Sequence, residues 1–145
     1  MGRARDLVER AWELIEGGAF ERLGEVFRDD AELSTASAAG SGLEYVRGVF
    51  TRHMEAYPDL RHEVLDAVES ADGGAIAVEM AFTGTHAGEL RGAAGTIAPT
   101  GRVVRWRSSD HVRLRDGRIS SWHAHFDRLA QRQQLGLEPA SRTDR

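Results

Sequence analysis

The sequence predicts an α+β fold, on three observations. Apolar residues recur at helical spacing through the first third of the chain and at strand spacing through most of the remainder. Helical and strand-rich regions are segregated along the chain, which argues against a parallel sheet with crossover helices. Near the end, Asp116-Gly117 separates two long strand-like runs, and that dipeptide favours a turn with positive φ at both central positions.

Leu7, Ala11, Leu14 and Ile15 share one face of a helix over residues 5–16, which Gly17-Gly18 ends. Phe20, Leu23, Val26 and Phe27 predict a second, short helix closed by Asp29-Asp30, followed by a strand over about 31–35. A third helix carries Val46, Val49, Phe50, His53, Met54 and Tyr57 at i, i+3, i+4 spacing and stops at Pro58. Ser41 and Glu44 predict a capping box at its start, each satisfying a free amide of the first turn. Strands are expected at 60–69, 75–85, 102–115 and 118–127, with 86–101 a glycine-rich loop that could close over a ligand. One domain over 1–137 and a frayed polar tail over 138–145 complete the organisation.

Composition narrows the function. The chain is 41% hydrophobic and 29% charged, an ordinary balance for a soluble globular protein. A net charge of -4 favours neither nucleic acid nor an anionic membrane as a partner. The absence of cysteine removes disulfides, thiolate nucleophiles and Cys-ligated metals. No apolar run approaches the ~20 residues that span a bilayer, and the charged first ten residues do not resemble a signal peptide, so a cytoplasmic protein is expected.

The last hairpin carries the candidate chemistry. Counting back from a two-residue turn pairs Val112 with Ser121, Asp110 with His123, Ser108 with His125 and Trp106 with Asp127. The opposite face then carries Arg105, Arg107, His111 and Arg113 with Trp122 and Phe126, too many charges for a core. The first face is therefore expected to line a cavity, apolar near the turn and polar beyond it. A carboxylate against Trp106 is partly desolvated and gains basicity, which makes Asp127 the expected general acid/base. His123 and His125 would hold substrate oxygens, with Asp110 fixing the tautomer of His123. Ser108 and Trp106, with Phe50 and Tyr57 of the third helix, are the further candidates to contact substrate.

Several segments extend this reading: Tyr57-Pro58-Asp59-Leu60, Thr83-Gly84-Thr85-His86-Ala87-Gly88-Glu89, Pro99-Thr100-Gly101-Arg102, Phe126-Asp127-Arg128-Leu129 and Gln133-Gln134-Leu135-Gly136-Leu137. In order and spacing they resemble the SnoaL-like polyketide cyclases, a branch of the nuclear-transport-factor-2-like fold, over about 5–137. The resemblance implies a cone-shaped α+β barrel with three N-terminal helices on a curved, mostly antiparallel sheet. It implies ring closure of a polyketide by intramolecular aldol condensation without metal or cofactor, with the aspartate of the Phe-Asp motif, here Asp127, as acid/base. Related branches include hydroxylases, epoxide hydrolases and isomerases, and fold alone does not choose among them.

The same residues also admit other readings. His123 and His125 with Asp110 or Asp127 have the spacing of a two-histidine, one-carboxylate metal site, but no further ligand supports it. Asp110 and Asp127 could activate a water as an epoxide hydrolase does, or the cavity could simply hold a hydrophobic ligand. The arginine-rich face predicts a homodimer, or a higher assembly such as a homotetramer, through the sheet.

Overall fold

Helix precedes sheet, as the change of apolar period requires. In the computed structural model, which describes residues 2–92 and 95–137, helix α1 (Arg3–Glu16) leads into a 3-10 turn (Phe20–Glu25), strands β1 (Phe27–Ser34) and β2 (Ala39–Ser41), and helix α2 (Leu43–Ala56). Strands β3 (Arg61–Glu69) and β4 (Ala75–Thr85) follow, then a small hairpin of β5 (Leu90–Gly92) and β6 (Gly95–Ile97). Strands β7 (Val103–Arg115) and β8 (Arg118–Phe126) and helix α3 (Arg128–Gln134) end the described chain. The expected tail over 138–145 lies outside the described residues. Among the described residues, no helix is long and apolar enough to cross a membrane.

Six strands form one sheet in the order β2-β1-β8-β7-β4-β3. Every pairing is antiparallel except β1 with β8. One face is buried: Ile76, Val78, Met80 and Phe82 of β4 and Val104, Trp106 and Val112 of β7 join Val8, Trp12 and Ile15 of α1 and Val46, Val49 and Phe50 of α2. Trp12 is the hub, with ring centroids 4.8 Å from Phe82, 5.5 Å from Phe50 and 6.3 Å from Trp122. Offset and edge contacts of this kind add roughly 0.5–1.5 kcal/mol each beyond burial.

Local chemistry corrects three expectations. The capping box does not form: Ser41 pairs with Glu32 in β2, Gly42 takes the N-cap position at φ 97°, and Glu44 instead meets Arg47 at 2.7 Å. A short strand running straight into α2 leaves Ser41 no freedom to fold back. The second helix is a single 3-10 stretch, and β1 begins at Phe27, earlier than expected. The region over 86–101 is not all loop, since β5 and β6 pair within it.

The decisive correction is in the last hairpin. Asp116 and Gly117 have φ of 53° and 77°, as the predicted turn requires, and Arg115 pairs with Arg118 and Leu114 with Ile119. A bulge follows: Arg113 pairs with Ser121, and Ser120 is the extra residue, its Oγ donating to the Arg113 carbonyl at 3.1 Å. One inserted residue exchanges the faces of everything beyond it. Val112 thus opposes Trp122, Asp110 opposes Ala124 and Ser108 opposes Phe126. Trp122 is only 1% exposed, whereas His123 and His125 lie on the outer face with His111. Trp122 and Phe126 therefore do not share a face with the arginines of β7.

Beyond Phe126 the chain leaves the sheet. Asp127 caps α3 by accepting from the Ala130 amide at 2.9 Å. Where β8 has ended, the Gln134 side chain continues the ladder along β7, donating to the Arg105 carbonyl at 2.6 Å and accepting from the Arg105 amide at 2.8 Å. On the far side of the site, the amides of Ala87 and Gly88 both donate to the Ala56 carbonyl, fastening the segment after β4 to the end of α2. A Cβ at Gly88 would stand 1.8 Å from the Glu55 carbonyl oxygen, and helix backbone cannot yield to it. Gly88→Ala is expected to destabilise the fold by roughly 1–3 kcal/mol. Urea denaturation would show this as a lower midpoint at unchanged slope.

Candidate active site

Asp110 is an acid inside the core. It occupies an inward position of β7, is 2% exposed, and faces apolar and aromatic neighbours because strand alternation leaves it nowhere else to point. Two side-chain donors serve it. The Trp122 indole Nε1–H donates to Oδ2 at 2.6 Å, and the Ser108 hydroxyl, two residues away on the same face, donates to Oδ1. Burial pushes the Asp110 carboxyl above its ordinary range, and outweighs the pull of Ser108, Trp122 and the His125 charge in the other direction. Both oxygens are thus fixed while the group remains basic.

A chamber opens beside this carboxylate. Trp12, Leu33, Phe50, Trp106, Trp122 and Phe126 are among the residues that wall it, and its volume of about 30 Å³ is on the scale of a single water. It adjoins a vestibule of about 360 Å³ that opens toward solvent between α2, β5 and α3. Thr35, Val49, His53 and Phe126 line both spaces and so form the neck between them. The vestibule is of the size that takes small ligands.

Two polar groups at this cavity have no assigned task. Trp12 lines the chamber, and its buried Nε1–H lacks a hydrogen-bond partner among the described residues. His53 stands at the neck with its imidazole held neutral, pushed down to about 4 by burial first and then by the Arg128 and Arg52 guanidiniums. From sequence, Phe126 falls on the opposite face of the hairpin and His53 on a helix stripe, and Trp12 carries no signal of its own.

The expected site residues separate into two groups. Asp110, Ser108, Trp106 and Phe50 do line one chamber. His123 and His125 do not: the bulge turns both outward, so neither can hold the carboxylate of Asp110 or complete a metal site with it. Asp127, expected opposite Trp106 in the cavity, is exposed and caps α3; it borders a separate open hollow with Arg105 and Arg107. Tyr57 is fully buried behind the wall, its hydroxyl accepting from Gln131 at 3.3 Å and its pKa raised to about 12 by burial. It packs on Trp106 at 5.3 Å and so supports a wall residue rather than reaching the cavity.

A phase break in β8 was the available signal for this arrangement. Trp122, Ala124 and Phe126 alternate in one phase and Ile119 lies in the other, with Ser120-Ser121 between them. Only an inserted residue can put all four inside.

The sequence pattern of the SnoaL-like polyketide cyclases matches residues 5–135. No curated protein matches the chain. Among solved structures, it is similar to a candidate SnoaL-like polyketide cyclase from Jannaschia sp., at 20% identity over 94% of each chain and a TM-score of 0.81. IdmH from Streptomyces antibioticus, a candidate polyketide cyclase, is 26% identical, with 91% of this chain and 97% of that one covered and a TM-score of 0.71. An LEH-like epoxide hydrolase from M. tuberculosis shares the fold at 16% identity, over 92% of this chain and 84% of that one, with a TM-score of 0.68.

The raised Asp110 carboxyl has a consequence for stability. The folded state keeps the proton at a pH where the unfolded chain has lost it, so the penalty is absent below the unfolded pKa and grows as pH rises toward the folded one. Asparagine is neutral throughout and escapes it. Asp110→Asn is therefore expected to melt higher than the parent chain at neutral pH, with the difference shrinking as pH falls and vanishing below about pH 3, where Asp is largely protonated in both states. Thermal melts at the two pH values check this; an Asn variant less stable at neutral pH contradicts the assigned direction.

Proposed function

The chain belongs to the SnoaL-like polyketide cyclase family, and we propose that it closes a ring in a polyketide-derived or aromatic carbonyl compound by intramolecular aldol chemistry, with Asp110 as general acid/base. One observation carries this reading: a carboxylate with raised basicity, both oxygens held by donors, beside a chamber that opens through a neck into a ligand-sized vestibule.

The steps follow from that geometry. Asp110 takes a proton from the carbon between two carbonyls, leaving an enolate. The enolate carbon attacks a second carbonyl carbon of the same molecule, forming the ring bond and an alkoxide. Asp110 returns its proton to that alkoxide, so the side chain ends as it began. Low dielectric around Asp110 favours a neutral acid over an anion, which strengthens the base that starts the reaction. Trp122 and Ser108 hold the carboxylate plane, and the spare Nε1–H of Trp12 is the donor available to an enolate oxygen. Neutral His53 at the neck can accept or donate a hydrogen bond without adding charge. Because the chamber holds about one water, only the reacting edge of the substrate enters it, and Phe126 and His53 move to admit it.

We also propose that the outer sheet face forms a homodimer. Arg105, Arg107, His111 and Arg113 of β7 present a basic column, and exposed Glu63 and Asp66 of β3 an acidic one. A two-fold axis between them sets each against the other.

Two experiments test these readings. In chelator-containing buffer with an anthraquinone-type polyketide ester, the parent chain is expected to close the ring and Asp110→Asn to lose at least about 100-fold in kcat. Asp127→Asn, which keeps a good helix cap, is expected to retain turnover. Loss in Asp127→Asn with activity kept in Asp110→Asn would reverse the assignment. For assembly, light scattering at micromolar protein is expected to give twice the chain mass; a monomeric mass contradicts the dimer.

A further inference from the structure

The vestibule is cationic although the chain as a whole is acidic. Arg52 from α2, Arg91 from β5 and Arg128 from α3 all line it, and among the described residues no carboxylate does. Arg91 is already engaged by Glu55. Arg128 donates to the Ser37 hydroxyl at 3.0 Å, a neutral partner that leaves its charge uncompensated. Arg52 makes no ion pair among the described residues. Three separate elements thus contribute arginines to the lining of one open space, on a chain of net charge -4, although Arg52 and Arg91 also line a neighbouring hollow beside Glu44.

We propose that Arg52 and Arg128 form an anion subsite, and that the natural substrate carries a free carboxylate that docks there while its carbonyl-bearing end enters the chamber beside Asp110. The reading of the substrate as a carbonyl compound rests on the function proposed above; the anion subsite does not. Guanidiniums form strong charge-assisted hydrogen bonds to carboxylates, and the apolar neck residues Val49 and Phe126 exclude water from one side of the pair. The lowered pKa of His53, due first to burial and then to the charges of Arg128 and Arg52, agrees with both guanidiniums lying near the neck.

The test uses anthraquinone-2-carboxylate and its methyl ester as probes, with tryptophan fluorescence quenching as the readout of binding to the whole chain. The acid is expected to bind about tenfold more tightly than the ester. In Arg52→Gln/Arg128→Gln that preference is expected to disappear while the affinity for the ester stays the same, and raised salt should weaken the acid alone. Asp110→Asn should keep the preference, so absent turnover and an absent subsite give different results. Equal affinity of the parent chain for acid and ester overturns the proposal. So does a preference for the acid that survives in the double variant, or tighter binding of the corresponding anthraquinone phosphate monoester, which would mark the site as phosphate-selective.

Discussion

A single inserted residue, Ser120, sets up the interaction on which the site depends. With a regular hairpin, the indole of Trp122 would face solvent and the buried carboxylate of Asp110 would lie opposite a histidine. The bulge turns Trp122 inward, where it closes the core against Trp12 and Phe27 and brings its Nε1–H to 2.6 Å from Asp110. Packing and polar satisfaction thus reinforce each other. The large ring fills the space between sheet and helices, and its one polar atom meets the one core group that most needs a donor. Remove either part and the other becomes costly, because a buried unpaired carboxylate or an unpaired indole has no water to turn to.

The same arrangement explains the division of labour around the cavity. Its inner wall is aromatic, which raises the basicity of Asp110 but offers little grip on a polar substrate. Charge is placed at the vestibule instead, on arginines carried by α2, β5 and α3, where water can still screen the empty site. His53 separates the two regions, and its neutrality follows from being both buried and near positive charge. Buried acid, neutral neck and cationic mouth form a gradient along one path. That gradient would orient an elongated molecule with its reactive carbonyls inward and an acid group outward.

Much of the fold was legible in the sequence because its signals are periodic and local. The helical stripe from Val46 to Tyr57, the alternation in β4 and the Asp116-Gly117 turn all appear as read. What a count from the turn misses is the bulge, because a hairpin register propagates from its turn and one irregular residue reverses every later assignment, even though the phase break at Ser120-Ser121 carries its trace. Asp110, Ser108, Trp106 and Phe50 survived because they lie on elements before the slip. His123, His125 and Asp127 lie after it, and their expected positions failed together. The motif segments behave differently from what a catalytic reading suggests. Asp59 accepts from the amide and hydroxyl of Thr85, each at 2.7 Å; His86 is tied to Thr100; and Asp127 caps α3. These are structural fastenings, and they identify a fold more surely than a reaction.

The fold holds a buried carboxylate of raised basicity in its core, and nuclear magnetic resonance can observe that group directly. Following the Cγ shift of Asp110 through a pH titration of the ligand-free chain should give a midpoint above the ordinary aspartate range. In Trp122→Phe, which removes the donor to Oδ2 but keeps an aromatic wall, the midpoint should rise further. A midpoint at or below the ordinary value in the parent chain would show a solvated or fully compensated carboxylate, and the account of Asp110 as the proton-transfer group would fail.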